Sequence, residues 1–159
     1  MTALASEITL RDAVAADEPF LRQLYRSTRE DELRIFGWTS EQQDLFVDLQ
    51  YRGQSQTYSQ AYPGGLHQIV MLAGEPIGRL FTNDDESALL LVDISLLAEH
   101  RNKGIGQHLM RGLLSQARST NKPVRLRVRK LNRARTLYER LGFRVTGDNG
   151  IYYEMVWDS

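Results

Sequence analysis

Apolar residues in this chain alternate with polar ones, recur at helical spacing, or run on without interruption, and each pattern predicts an element. Glu7 to Ala13 alternates, with Ile8, Leu10 and Asp12 on one face, and reads as a first strand. Asp17 and Pro19 mark a helix start, the aspartate as N-cap and the proline in the first turn. Phe20, Leu21, Leu24 and Tyr25 follow at helical spacing. Arg29 to Phe36 continues or restarts that helix, and Gly37 interrupts it. Thr39 or Ser40 then caps a second helix from Glu41 to about Arg52, with Leu45, Phe46 and Leu49 as its apolar stripe. Gly53 to Tyr62 is a helical extension or an ordered loop, and Pro63-Gly64-Gly65 is a break.

Strand patterns dominate the middle of the chain. Gln68 to Ala73 and Pro76 to Thr82 read as two strands joined by a turn at Gly74-Glu75. After a polar turn, Asn83 to Ser87, the run Ala88 to Leu96 is the most apolar strand, expected to be central and buried on both faces. GIGQHLMRGLLSQARST is a long helix, stopped at Asn121-Lys122-Pro123. Val124, Leu126 and Val128 alternate with Arg125, Arg127 and Arg129 in the next strand. Asn132 to Leu141 is a short helix ended by Gly142, and Phe143 to Thr146 with Ile151 to Trp157 forms a closing hairpin. The order is β-α-α-β-β-β-α-β-α-β-β, an α/β fold with a mostly antiparallel sheet.

Composition narrows the chemistry. A length of 159 residues suits one domain with a sizeable core. Lys plus Arg and Asp plus Glu number 20 each, and this balance argues against general binding to nucleic acid or an anionic membrane. Without cysteine there is no disulfide or catalytic thiol, and three scattered histidines do not suggest a zinc site. No stretch approaches the roughly 20 apolar residues of a membrane span. MTALASEITLRDA lacks a basic start and a long apolar core, so no signal peptide is expected and the expected compartment is cytoplasmic.

The chemistry-bearing stretch is RNKGIG, Arg101 to Gly106, between the apolar strand and the long helix. Backbone N–H groups at a helix start lack internal partners, glycines allow close approach, and the dipole favours anions. The loop is therefore built as a phosphate cradle. It is neither a dinucleotide fingerprint, since no third glycine follows Gly106, nor a P-loop, since Gly-Lys-Ser/Thr is missing. R-x-x-G-x-G after a buried strand resembles the acyl-CoA-binding loop of the GNAT N-acetyltransferase superfamily. One strand downstream, NRARTLYERLGF resembles that superfamily's second signature, A-x-x-L-Y-x-x-x-G-F, at Ala134, Leu137, Tyr138, Gly142 and Phe143.

The resemblance implies one GNAT-type domain over 1–159: a mixed, mostly antiparallel sheet with helices on both faces and a splayed central strand. It implies acetyl-CoA as acyl donor, direct transfer to a primary amine in a ternary complex, and no metal. The backbone of Ile94, Ser95 and Leu96 would pair with the pantetheine arm. The amides of Asn102, Lys103, Gly104, Ile105, Gly106 and Gln107 would hold the pyrophosphate, with the Arg101 and Lys103 side chains nearby. Tyr138 would protonate the leaving thiolate. Asn132 would contact CoA, although it stands two residues before Ala134 where many members have three, and an N-cap role is equally open. A catalytic glutamate found early on the central strand of several members is replaced here by Leu90. A non-catalytic acyl-CoA-binding or regulatory module on the same fold is the alternative, and Tyr138 favours the enzyme.

Other candidates stand apart from the motifs. Asp93 is the only charge in LLLVDISLL and is either a contact for the acceptor amine or its water chain, or a structural carboxylate. The Arg125, Arg127 and Arg129 row is expected to be a solvated face with salt bridges, the other reading being contact with an acidic substrate or CoA phosphates. Glu30, Glu32 and Trp38 are candidates for binding a small-molecule or peptide amine, the carboxylates by charge and the indole by packing. A homodimer is compatible with all of this.

Overall fold

The computed structural model describes residues 7–159. The first six residues of MTALASEITLRDA, the stretch considered for a signal peptide, therefore lie outside the described residues. In chain order the elements are β1 (Ile8–Asp12), α1 (Glu18–Thr28), α2 (Glu30–Phe36), α3 (Ser40–Ala61), β2 (Leu66–Leu72), β3 (Glu75–Asp84), β4 (Leu89–Leu96), α4 (Ile105–Thr120), β5 (Val124–Arg129), α5 (Ala134–Arg140), β6 (Arg144–Asp148) and β7 (Tyr152–Trp157). The strands form one sheet in the order β1-β2-β3-β4-β5-β7-β6. Every neighbouring pair is antiparallel except β4 and β5, which the α4 crossover makes parallel.

The two sheet faces carry different cores. On one, Ile105, Leu109, Met110, Leu113, Leu114 and Ala117 of α4 pack against Leu89, Leu91, Val124 and Leu126 of the sheet, and α5 adds Tyr138. That spacing is an amphipathic helix stripe. On the other, Leu21 and Leu24 of α1 and Tyr51 of α3 cover Ile69, with Leu97 closing the cluster. Helices thus flank both faces. No helix among the described residues is long and apolar enough to cross a membrane.

Two sequence expectations need correction. The helix after Thr39 runs on to Ala61, so Gly53 to Tyr62 is largely its extension. Thr39 does cap it: the hydroxyl accepts from the Gln42 N–H at 3.2 Å and Gln42 answers to the Thr39 N–H at 2.9 Å. The buried stripe, however, is Val47 and Tyr51, while Leu45 and Leu49 are 61 % and 58 % exposed. The reason is that α3 meets α1 through polar side chains. Arg22 pairs with Asp48, Arg26 with Asp44 at 2.6 Å, and the Tyr51 hydroxyl bonds to Glu18 at 3.1 Å.

The second correction concerns Asp17. It stands just before α1, but its carboxylate does not cap the helix. It accepts both Arg11 amino groups at 2.7 and 2.8 Å and the Val14 N–H at 2.8 Å. The aspartate therefore ties β1 to the start of α1, and the guanidinium and backbone donors hold its carboxyl down at about 2.

Candidate functional site

Strand β4 leaves its parallel neighbour early. Only Leu89 to Leu91 pair with β5, opposite Val124 to Leu126. Arg127 to Arg129 turn wholly to β7, so Val92 to Leu96 have an open edge on that side. A bulge sits at the same place. Leu91 pairs with Thr82 and Asp93 with Phe81 on β3, leaving Val92 as the extra residue. The extra residue reverses the alternation. Leu89 and Leu91 face the α4 core before it, and Ile94 and Leu96 face that core after it. Asp93 and Ser95 are thereby turned to the α1–α3 face.

Asp93 is not left alone there. Arg79, buried on β3, donates Nε at 2.7 Å to one carboxylate oxygen, with Nη2 of the ion pair 2.6 Å from the same oxygen, and Ser95 Oγ adds contacts at 3.1 and 3.2 Å. The Arg79 Nη2 also bonds Gln54 Oε1 on α3 at 2.7 Å, and the guanidinium lies 5.5 Å from the Tyr58 ring centre. Asp93 remains 21 % exposed, so the pair is reachable from solvent. Sequence reasoning missed Arg79, whose signal was a lone charge within the apolar strand PIGRLFT.

Tyr138 lies on the opposite face of the sheet from Asp93. It is buried in the α4 core, its ring 5.8 Å from Phe143. Burial, and secondarily the negative charge of Asp93, push its phenol up to about 12. It is thus a firmly protonated donor at neutral pH.

Beyond Leu96 the backbone makes a cradle. A short 3-10 turn, Ala98–His100, leads to Asn102 at φ 60° and Gly104 at φ 83°, where α4 begins. The N–H groups from Asn102 to Gln107 find no backbone acceptor among the described residues, and the helix ladder starts with His108 bonding to Gly104. A Cβ added at Gly106 would meet only Leu137 Cδ2, at 3.8 Å. Packing therefore does not require glycine at 106, and its bare backbone faces open space. Lys103 is exposed at the rim. Arg101 folds back, with Nε on the Leu96 carbonyl at 2.9 Å and Nη2 on Ser27 Oγ at 3.2 Å, and so ties the cradle to the end of β4 and to α1. Asn132 Oδ1 accepts from the Ala134 N–H at 2.9 Å, a local turn just ahead of α5, whose N-cap position is Arg133.

A cavity of about 360 Å³ opens on the α1–α3 face, lined by Tyr25, Arg29, Leu49, Gln50, Gly53, Gln54, Thr57, Tyr58 and Arg129. Its Gln54–Tyr58 wall backs onto the Arg79–Asp93 pair. Burial and the nearby Asp93 push the Tyr58 phenol up to about 12. Glu30, Glu32 and Trp38 are not among the lining residues. Glu32 is taken up by Arg29 at 2.8 Å, and Trp38 packs against Phe36 and Phe46 with ring centres 4.7 and 5.1 Å away. Arg125, Arg127 and Arg129 are exposed as expected, and the partner observed for the last two is aromatic. Arg127 and Arg129 lie 4.9 and 5.8 Å from the Tyr152 ring centre, and none of the three has a salt bridge among the described residues. No group of three or more histidine, aspartate or glutamate residues gathers as a metal site among the described residues.

Known structures share this arrangement of elements. The PaiA N-acetyltransferase of Thermoplasma acidophilum, solved in complex with coenzyme A, superposes with a TM-score of 0.73 at 19 % identity, covering 96 % of this chain and 99 % of that one. PH1933 from Pyrococcus horikoshii gives 0.69 at 21 % identity, over 96 % and 99 %. An acetyltransferase from Thermus thermophilus gives 0.68 at 17 % identity, over 96 % and 97 %. At these identities the likeness is one of fold. No curated protein matches the sequence. The acetyltransferase (GNAT) domain model matches residues 65–145, just over half of the chain, from the start of β2 through the split strand, the cradle and Tyr138. This protein belongs to the GNAT family of acetyltransferases.

Proposed function

We propose that this protein transfers an acetyl group from acetyl-CoA to a primary amine of a small molecule or peptide, by direct transfer in a ternary complex. The observation that carries the proposal is the meeting of three features at one split in the sheet: an open β4 edge, a cradle of unpaired N–H groups, and a buried phenol. Bound acetyl-CoA supplies an acyl carbon activated by a thiol leaving group. The amides of Asn102 to Gln107 suit its pyrophosphate, with the α4 dipole and Lys103 adding positive charge. The open edge of Ile94 to Leu96 suits its amide-bearing arm, which completes the ladder that β5 abandons. The crystallised coenzyme A complex of the Thermoplasma protein supports the assignment of donor.

The roles of the side chains follow from their placement. Tyr138 donates a hydrogen bond, and then its proton, to the sulfur as charge grows there. A phenol at about 12 keeps that proton until the sulfur becomes basic. Asp93 accepts from the incoming ammonium, directly or through water, while Arg79 fixes its orientation. Asn132 holds the Ala134 N–H through Oδ1, which leaves its side-chain NH2 to donate to the bound donor.

The test is acetyl-CoA binding followed by turnover. Saturating acetyl-CoA should raise the melting temperature by mass action. Thiol release from acetyl-CoA should then require an added amine. An unchanged melting temperature with both CoA and acetyl-CoA would sink the donor assignment. A shift without thiol release on any primary amine would leave a binding module on the same fold.

A further inference from the structure

The cavity on the α1–α3 face has a charge pattern that an acceptor must match. Two guanidinium groups line it, Arg29 and Arg129, and no carboxylate does. Arg29 is held in place. Its Nε bonds the Tyr25 hydroxyl at 3.2 Å, its Nη1 both Glu32 oxygens at 2.8 and 3.0 Å, and its Nη2 Gln50 at 3.3 Å. Glu32 offsets its charge. Arg129 has no such partner: it has no salt bridge among the described residues and rests beside the Tyr152 ring. Arg127 stands two residues away on the same face and adds to the positive potential. Across the cavity, Gln54 and Tyr58 contact the Arg79 guanidinium, whose ion-pair partner Asp93 is a partly exposed carboxylate. One wall is therefore cationic, and the other leads to a charge-compensated pair whose carboxylate is the more exposed member.

We infer that the acceptor is a zwitterion of amino-acid size, an amine that also carries a carboxylate. Its ammonium points to Asp93 and its carboxylate is gripped by Arg129. This rests on the transfer reaction proposed above. A polyamine in the same place would bring like charge against Arg129 and Arg127, which disfavours it. The planar guanidinium fork matches a carboxylate with two parallel hydrogen bonds. The volume, about 360 Å³, lies at the lower end of small-ligand sites. Charge selection thus moves from Glu30 and Glu32, which point to a cationic acceptor by sequence alone, to an arginine on β5.

The test sets each common L-amino acid against its own carboxamide, so that the amine is kept and only the carboxylate is lost. Two readouts are taken: thiol release from acetyl-CoA, and calorimetric binding to the protein saturated with CoA. The acid of the best pair should be preferred over its amide by roughly 10–100-fold in kcat/KM or Kd, the worth of a charged hydrogen bond. Arg129→Gln should bring that ratio close to one, and Arg129→Lys should keep part of it. Arg129 is exposed, so melting curves provide the check that both variants fold. Amides used as well as acids would overturn the inference and leave the transfer reaction standing. So would a preference that survives Arg129→Gln, or an Arg129→Gln variant whose loss is in affinity for CoA itself, which would place the arginine at the donor. Acids that bind through Arg129 without any thiol release would support the site and overturn the transfer. Binding and release with neither series would overturn both.

Discussion

Tyr138 and Asp93 lie on opposite faces of one sheet, yet the negative carboxylate contributes to the shifted phenol. Burial is the larger cause of that shift, and the carboxylate adds to it by charge alone. Tyr138→Phe removes one hydroxyl and keeps the ring packed on Phe143. The variant should bind acetyl-CoA nearly as wild type and lose about 10²–10⁴-fold in kcat. A wild-type turnover rate would make Tyr138 a packing residue. The pH profile adds a second check. A phenol raised to about 12 is still protonated near pH 10, where an ordinary tyrosine is half ionised. Wild-type kcat should therefore show no alkaline loss from this group below about pH 10. Arg79 explains why Asp93 is tolerated in an apolar strand: a carboxylate there needs a partner, and the guanidinium supplies a hydrogen bond and an opposite charge.

At the scale of elements, the bulge at Val92 decides which face Asp93 occupies. LLLVDISLL shows one charge in an apolar run, but nothing in it marks an extra residue, because Val, Leu and Ile are acceptable on either face. The placement of Asp93 was therefore not legible, whereas the strand, the glycine cradle and the A-x-x-L-Y helix were, since their signals are local. The α3 stripe was misplaced for the opposite reason. Its buried face ends in polar groups such as the Tyr51 hydroxyl and Gln54, which an apolar count overlooks. The arginine row was legible as a face but not as a cavity wall, since the wall depends on α1 and α3 arriving from elsewhere in the chain. Deleting Val92 removes only the extra residue: Leu91 stays opposite Thr82 and Asp93 opposite Phe81, so Asp93 keeps its face and its Arg79 partner while the bulge is lost. The deletion should therefore still melt cooperatively by circular dichroism, and loss of the transition would refute the register. The Arg11–Asp17 clamp gives a milder prediction. The carboxyl is lowered from its ordinary value to about 2, so its contribution is fully present above about pH 4 and is lost as pH falls through about 2. Asp17→Asn should melt below wild type at neutral pH, and the gap should close as pH drops through that window. A gap that stays constant would mean the ion pair adds nothing.

Across the whole molecule, the sheet is two blocks with a narrow hinge of pairing. β1 to β4 form one antiparallel set and β5 to β7 the other, and between them only Leu89 to Leu91 are paired with Val124 to Leu126. Past that point the blocks are held by the shared α4 core, with Arg101 tying the cradle to the end of β4 and to Ser27 of α1. A donor lying along the open β4 edge would supply the missing partners of that edge and anchor them to the start of α4. Hydrogen exchange follows such pairing residue by residue, since an amide exchanges at the rate set by its local opening. Acetyl-CoA should therefore slow exchange at Val92 to Leu96 and at Asn102 to Gln107, while the β1–β2 pair, remote from the split, should change little. Gly106→Ala separates the cradle from the fold. The added methyl meets only Leu137 and suits a helix, so the unliganded melt should be at or slightly above wild type, by a few tenths to about 1 kcal/mol. Its protection by acetyl-CoA should nevertheless shrink at both segments together, because one ligand spans them. Protection confined to one segment would show that the edge and the cradle do not serve the same molecule.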